Sequence, residues 1–171
     1  MREQARDFER AVNDAYPALV RSAHVLCWSQ ADVDDVVQET MLQALRGFAS
    51  FRGTSTPLTW CYAILARVAA GANRRRRRAP TGYAAVALHA DGLPPIDEAM
   101  IQDETGRLIV DAIRGLPERQ REVVTLHFLQ DLSYAEIADA LGVAVGTVKA
   151  TVHAAKVSLR KTLAAAELRP R

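Results

Sequence analysis

The sequence has few aromatic residues, few cysteines and no long uncharged apolar run. Only 6% of its 171 residues are Phe, Trp or Tyr, whereas 49% are hydrophobic, which favours Ala-, Leu- and Val-rich helices over an all-β fold. The apolar content also excludes a chain that is disordered throughout. Charged residues interrupt every candidate stretch of about 18 apolar residues, so we expect no membrane insertion.

The two cysteines, Cys27 and Cys61, are too few for a disulfide framework. Their bulky apolar neighbours favour buried thiols, although a redox pair, or part of a metal site with His24, remains an alternative. The first seven residues carry acids and lack the apolar core of a secretory signal. We therefore expect a cytoplasmic protein.

No constellation of residues that supports catalysis is present. The four histidines, His24, His89, His127 and His153, are scattered. The chain has no His-Glu-x-x-His, no Cys-x-x-Cys and no Gly-rich phosphate loop. We expect neither an enzyme nor a bound metal or cofactor.

Helical periodicity predicts an all-α fold of two small domains. Helices are expected within 2–29, where Pro17 breaks or kinks the pattern, and over 31–47 and 57–78. Residues 79–97 are dense in Pro and Gly and read as a flexible linker. Further helices are expected over 97–114 and 118–129, followed by two more, so the domains are 1–78 and 98–171.

The last two helices have the pattern of a helix-turn-helix. Ser133 and Glu136 form a capping box, and Gly142 can end the helix that they start. A second helix begins near Gly146, with Val148 on its apolar face and Lys149 largely off it. Such a helix fits the DNA major groove. The alternative is a helical hairpin whose charges are only solvated.

Basic residues are concentrated at two places although the net charge is only +2. One is the run Arg74–Arg78, and the other is the C-terminal helix. At about 100° per residue, five consecutive arginines surround a helix, so they cannot form one solvated stripe. This layout predicts a nucleic-acid partner contacted at two separate points.

Motifs in both halves resemble extracytoplasmic-function (ECF) sigma factors of bacterial RNA polymerase. LPERQREVV at 116–124, LSYAEIA at 132–138 and LGVAVGTVK at 141–149 are similar to region 4. DVDDVVQETM at 32–41 is similar to region 2.2. Residues 48–78, which carry aromatic residues and the arginine run, are similar to regions 2.3 and 2.4. The resemblance spans roughly 8–78 and 98–164.

The resemblance implies a sigma factor that binds the beta-prime clamp and the beta flap of core RNA polymerase and brings the polymerase to promoter DNA. It also implies control by an anti-sigma factor. Polymerase contacts would come from Asp34, Asp35, Gln38 and Glu39. The minus-10 contacts would come from Arg52, Thr54, Ser55, Trp60, Tyr62, Asn73, Arg74, Arg75, Arg76, Arg77 and Arg78. The minus-35 contacts would come from Tyr134, Gly146, Thr147, Lys149, Ala150, Thr151, His153 and Lys156.

Two alternatives concern individual parts of this assignment. Trp60 and Tyr62 could pack in the core, which makes the loop 49–56, with free backbone and hydroxyl groups, the better candidate for base contact. The recognition helix also lacks two arginines that are usual in the family, so minus-35 binding is expected to be weaker or differently specified. A sigma-like decoy that binds an anti-sigma factor without DNA is the alternative function.

Overall fold

The computed structural model describes residues 2–51, 53, 55–78 and 104–167, and all regular structure within these ranges is helical. The predicted all-α fold is confirmed. The helices are α1 (Arg2–Asp14), α2 (Tyr16–Leu26), α3 (Val33–Arg46), α4 (Pro57–Arg78), α5 (Glu104–Arg114), α6 (Glu118–Val124), α7 (Tyr134–Leu141) and α8 (Val145–Glu167). No helix in the described part of the chain is long and apolar enough to cross a bilayer.

The chain divides into two compact units, Met1–Pro94 and Pro95–Arg171. The predicted linker, 79–97, lies outside the described residues, as does the first part of the helix predicted over 97–114. Each unit has its own buried apolar side chains. Each is therefore described by itself.

In the first unit, Pro17 breaks the predicted N-terminal helical segment rather than kinking it. α1 ends at Asp14, and the proline occupies the first turn of α2, where a missing backbone N–H costs little. A 3-10 turn, Gln30–Asp32, precedes α3, so the second predicted helix begins two residues late. α3 then buries residues at helical spacing: Val33, Val36, Val37, Thr40 and Ala44.

Helix α4 is the centre of this unit and contacts α1, α2 and α3. Half of its length is buried, including Cys61, Tyr62 and Asn73. Cys27 and Cys61 are both buried and not joined in a disulfide, which confirms the expectation of buried thiols. Desolvation raises the pKa of the Cys61 thiol to about 11, so this cysteine is not an activated nucleophile.

An aromatic cluster closes the end of the unit where the α3–α4 connector runs. The ring centres of Phe48 and Phe51 lie 4.8 and 5.2 Å from that of Phe8, and the Trp60 ring centre lies 5.6 Å from it. Tilted and edge-on rings at such distances are favourable packing. The connector is thereby fastened to α1.

The second unit contains the helix-turn-helix. The chain is helical over the whole predicted range 118–129, but only α6 is α-helical, and a π-helical turn, Thr125–Leu129, follows it directly. A π turn changes the direction in which successive side chains point. α8 packs against α5, α6 and α7, and its buried side chains are Val148, Val152 and Ala155.

Candidate functional site

The exposed face of α3 is acidic and polar. The four side chains that the sequence assigns to polymerase contact, Asp34, Asp35, Gln38 and Glu39, are all exposed. The Gln43 amide donates a hydrogen bond of 2.8 Å to Glu39 Oε1, which orients that carboxylate. The face is available to a partner because the three valines of α3, Val33, Val36 and Val37, are buried on the other side of the helix.

A groove of about 650 Å³ lies between α3 and α4. Its α3 wall carries Asp35 and Glu39, and its α4 wall carries Arg67 and Arg75. Leu42, which is 45% exposed, adds an apolar contact surface. The groove therefore offers both signs of charge and one apolar patch to a partner.

The sequence prediction did not place Arg67 or Arg75 beside the polymerase-contact residues. The Arg67 Nε donates to the Ala63 carbonyl at 3.3 Å, which keeps the side chain along its own helix. Arg67 and Arg75 are eight residues apart, which separates them by about two turns along α4 and about 80° around it, so both can line one groove. That spacing is the signal that could have found them.

The arginines at the end of α4 differ in what their side chains contact. Arg76 holds Asp32 with two hydrogen bonds, Nε to Oδ2 at 2.8 Å and Nη2 to Oδ1 at 3.1 Å. The Arg77 guanidinium lies 5.1 Å from the centre of the Trp28 ring, within the range of a cation–π contact. Arg74 and Arg78 are exposed.

Asn73 is a core residue, which corrects the sequence prediction that it contacts the minus-10 DNA. It is 1% exposed, its Nδ2 donates to the Leu26 carbonyl at 3.0 Å, and its Oδ1 accepts from the Trp28 backbone N–H at 3.0 Å. Both ends of the amide are thus used to close α2 against α4. A DNA strand could reach this side chain only after local unfolding.

Tyr62 is corrected in the same way. It is fully buried, and desolvation raises the pKa of its hydroxyl to about 12. Trp60 is half-buried in the aromatic cluster, and a Cβ atom on Gly47 would lie 2.9 Å from its ring carbon Cη2. The core-packing alternative therefore describes both residues.

Two hydroxyl groups of the loop 49–56 are engaged in hydrogen bonds within the unit. The Ser50 hydroxyl donates to the Gly47 carbonyl at 2.7 Å, and Thr56 Oγ1 accepts from the Thr59 N–H at 3.1 Å, which caps the start of α4. These two hydroxyls are therefore not free, contrary to expectation. Ser55 is half-buried, and the candidate residues Arg52 and Thr54 lie outside the described residues.

The predicted capping box is present at the start of α7. The Ser133 Oγ accepts from the Glu136 N–H at 3.3 Å, and the Ser133 N–H donates to Glu136 Oε2 at 2.8 Å. These bonds lower the pKa of the Glu136 carboxyl because they favour its charged form. Gly142 ends the helix at φ +64°, in the left-handed region that glycine adopts without strain.

The exposed face of α8 holds most of the side chains assigned to minus-35 contact. They are Gly146, Thr147, Lys149, Ala150, His153 and Lys156. Thr151 is half-buried, and its hydroxyl donates to the Thr147 carbonyl at 2.8 Å. The Lys156 Nζ lies 5.4 Å from the centre of the Phe128 ring, so this ammonium is partly held by its own unit.

Tyr134 lies beside the π-helical turn. It is half-buried, with its ring centre 4.8 Å from that of His127. The His127 Nδ1 makes a 2.9 Å hydrogen bond with the Leu132 carbonyl. His127 thus has a structural role, because it positions the loop that leads into α7.

Charged side chains are also buried in this unit, which the sequence analysis missed. Arg121 is 4% exposed and donates from Nη1 to the Arg114 carbonyl at 2.8 Å. Desolvation raises the pKa of the Glu122 carboxyl, against the effect of Arg119 at 2.9 Å. Hydropathy patterning gives no signal for such residues because it places charges at the surface.

The described residues contain no cluster of metal-ligating side chains. Within 2–51, 53, 55–78 and 104–167, no three His, Cys, Asp or Glu side chains are grouped as metal ligands. The surfaces described above suit macromolecular partners: an acidic helix face beside a groove of mixed charge on one unit, and basic helix faces on both units. Their chemistry is that of recognition.

Comparison with known families finds two matches in chain order. Residues 11–79 match the family model Sigma-70 region 2, and residues 106–159 match Sigma-70, region 4. The first covers α2 to α4 with the last turn of α1, and the second covers the helix-turn-helix. Together they account for most of the chain.

Similar proteins and structures agree with this assignment. The ECF RNA polymerase sigma-E factor of Haemophilus influenzae is 34% identical over 137 residues, covering 75% of this chain and 72% of that protein. The Escherichia coli K12 protein of the same name is 32% identical over the same shares. The sigma factor RpoE of Bartonella quintana, solved with the anti-sigma factor NepR, has a TM-score of 0.71 at 25% identity, over 92% of this chain and 96% of that one.

A further solved structure has the same fold. CnrH, solved with the cytosolic domain of CnrY, matches with a TM-score of 0.68 at 24% identity, over 95% of this chain and 94% of its own. The family matches and the identity to the curated relatives lead to one conclusion. This chain belongs to the ECF family of RNA polymerase sigma factors.

Proposed function

We propose that this chain is an alternative sigma factor that brings core RNA polymerase to specific promoters and promotes transcription initiation. The observation that carries the proposal is the pair of region 2 and region 4 matches, each on a unit with an exposed polar helix face. The chain would act in the cytoplasm, where polymerase is, and would add no catalytic chemistry of its own.

The exposed face of α3 is proposed as the docking surface for core polymerase. Asp34, Asp35, Gln38 and Glu39 are exposed together, and the groove beside them is lined by charges of both signs. A partner helix with complementary charges would be guided into the groove and held in one register. The resemblance to ECF sigma factors points to the beta-prime clamp as this partner and to the beta flap as the partner of the second unit.

Two surfaces are proposed for promoter DNA. On the first unit, the exposed arginines at the C-terminal end of α4 would hold phosphates of the minus-10 strand. The loop 49–56, which leads into the other end of α4, would contact bases of the same strand. On the second unit, α8 would enter the major groove of the minus-35 element with Thr147, Lys149 and His153 outward. Short polar side chains near a helix N-terminus can reach base edges while lysines neutralise phosphates.

Control by an anti-sigma factor is part of the proposal. The Bartonella quintana sigma factor RpoE was solved in complex with the anti-sigma factor NepR, and this chain matches 96% of its length. A protein that covers the acidic face of α3 would block polymerase binding whether or not it also touches the second unit. Competition between the two partners is the expected form of control.

A second candidate function is a decoy that binds an anti-sigma factor and not DNA. The observation in its favour is the exposed face of α8, where Ala150 and Ala154 present methyl groups that cannot neutralise phosphate. The decoy function requires neither polymerase binding nor an open promoter. Both requirements can be measured.

The docking surface is tested by the affinity of the full chain for purified core polymerase. The variant Asp35→Lys/Glu39→Lys reverses two charges of the α3 face, and we expect at least a tenfold weaker Kd. The matched control, Glu9→Lys/Asp14→Lys, changes the net charge equally on exposed positions of α1. Equal weakening by both variants would refute the assignment of the face, and wild-type protein that fails to bind polymerase would favour the decoy.

A further inference from the structure

The five arginines that end α4 point in different directions. At about 100° per residue, Arg76 and Arg77 fall within about 60° of the buried Asn73, whereas Arg74 and Arg78 fall about 100° and 140° away from it. Asn73 is 1% exposed and Arg76 is intermediate, whereas Arg74, Arg77 and Arg78 are exposed, and of these three Arg77 lies over the Trp28 ring. The run therefore has an inner side and an outer side.

The inner side is fastened to the segment 26–32, which joins α2 to α3. Asn73 bonds the Leu26 carbonyl and the Trp28 N–H, each at 3.0 Å. Arg76 reaches Asp32 at the end of the same segment with a bond from each of two nitrogens. Three contacts, with the Arg77 guanidinium over Trp28 as the third, thus hold one face of α4 to the approach to α3.

The charge of Arg76 is already matched. Its side chain and that of Asp32 are 20% and 24% exposed, and the two-point geometry orients the guanidinium toward the carboxylate. Contact with a phosphate would require this pair to break. Arg76 thus has little capacity left to attract a nucleic acid.

The outer pair has the opposite properties. Arg74 and Arg78 are four residues apart and are neighbours on the helix surface. Among the described residues, neither makes an ion pair with an acidic side chain. Arg75 differs from both because it lines the groove opposite the acids of α3.

We propose that the arginine run is divided in function. Arg76 is a positioning residue that locks the basic end of α4 to the segment before α3, and Arg74 and Arg78 are the residues of the run that contact DNA phosphates. The second half of this statement rests on the proposed function. The first half concerns the folded chain alone and can be tested without any partner.

The positioning half is tested by urea unfolding of the full chain, followed by tryptophan fluorescence. Asp32→Asn and Arg76→Gln should each lower the unfolding midpoint. The midpoint of the double variant should be no lower than that of the less stable single variant, because the two residues act through one contact. Arg76→Lys should not restore the midpoint, because lysine keeps the charge but cannot make the two-point contact. Arg78→Gln is the matched control and should leave the midpoint unchanged. Additive losses, or full rescue by lysine, would overturn the positioning role.

The phosphate half is tested by the salt dependence of DNA binding. The probe is a fluorescein-labelled, mixed-sequence, single-stranded 20-mer titrated with the full chain from 50 to 300 mM NaCl. Each phosphate contact to a single strand contributes about 0.7 to the slope of log K against log salt. Arg74→Gln/Arg78→Gln should therefore lower the slope by about 1.4, and Arg76→Gln should leave it unchanged. Equal reductions by the two variants, or wild-type binding without salt dependence, would overturn this half.

Run-off transcription by the same proteins separates failure of this inference from failure of the proposed function. If the wild-type chain supports a transcript while the outer pair leaves the slope unchanged, the division is wrong and the function stands. If the wild-type chain supports no transcript while Asp32 and Arg76 are coupled in stability, the function is wrong and the positioning role stands.

Discussion

At Asn73, a single side-chain amide joins the end of one helix to the last turns of another. The Leu26 carbonyl is a terminal group of α2 that its own helix leaves unsatisfied, and the Asn73 Nδ2 supplies the missing donor. The Oδ1 of the same amide accepts from the Trp28 N–H. The residue therefore uses both of its polar functions on backbone groups 45 and 47 positions away.

Replacement of Asn73 by alanine should destabilise the first unit by about 3 kcal/mol, since each buried backbone group left without a partner costs about 1–3 kcal/mol. The free energy of unfolding from urea titration measures this loss. Arg74→Ala, one position along and exposed, should change stability by less than about 0.5 kcal/mol. Equal effects of the two substitutions would show that the amide is not a structural link.

At the scale of the element, the first turn of α7 shows how local chemistry starts a helix. Ser133 and Glu136 exchange two hydrogen bonds, and Gly142 stops the helix with a left-handed residue. Both features depend on residues fewer than ten positions apart. This is why the sequence predicts them together with their chemistry.

Ser133→Ala should destabilise the second unit by about 1 kcal/mol, the usual value of an N-cap side chain. The free energy of unfolding at pH 7 measures the loss, and Thr162→Ala on the exposed face of α8 serves as the control. Because the pKa of Glu136 is lowered in the folded chain, its contribution is present above the unfolded pKa and is lost as pH falls through the folded pKa.

Glu136→Gln should therefore remove part of the acid sensitivity while keeping the hydrogen-bonding pattern of the box, since glutamine also serves at this position. The comparison is between the stabilities of the wild type and of this variant, each measured at pH 7 and below pH 4.5. Identical pH dependence of the two proteins would contradict the role given to the carboxylate.

Sequence patterns predict a structural feature less accurately when that feature depends on contacts with residues far away in the chain. The π-helical turn after α6 carries a histidine that bonds to the loop beyond it, and no local residue pattern predicts this change of pitch. The pairing of Arg76 with Asp32 spans 44 positions. A run of five identical residues contains no information on which one finds a partner. The same limit applies to Tyr62, whose burial follows from how α4 sits against its neighbours.

At the scale of the whole molecule, the helices of both units divide their surface between burial and recognition in the same way. A helix buries its apolar stripe and leaves a polar face outward: acidic on α3, basic at the end of α4 and on α8. The stripes and the charge runs are properties of the sequence, so the all-α fold and the candidate faces could be predicted. Which side chains of a face stay exposed depends on packing, and there Asn73 and Tyr62 were assigned wrongly.

The separate surfaces of the two units explain how this chain could direct polymerase. The acidic face of α3 would hold the enzyme, while basic faces on both units would hold DNA at two separate points. Sequence-independent phosphate contacts supply affinity, and base contacts from α8 supply selectivity. Loss of either basic face should therefore impair initiation without removing the attachment to polymerase.

The central claim is that this chain makes core RNA polymerase initiate at a specific promoter. Run-off transcription with purified core polymerase, on the DNA upstream of this chain's own gene, measures it most directly. We predict a discrete transcript that requires the protein and that disappears with Arg74→Gln/Arg78→Gln. Core polymerase that binds the wild-type protein and still yields no protein-dependent transcript from any genomic promoter fragment would contradict the claim.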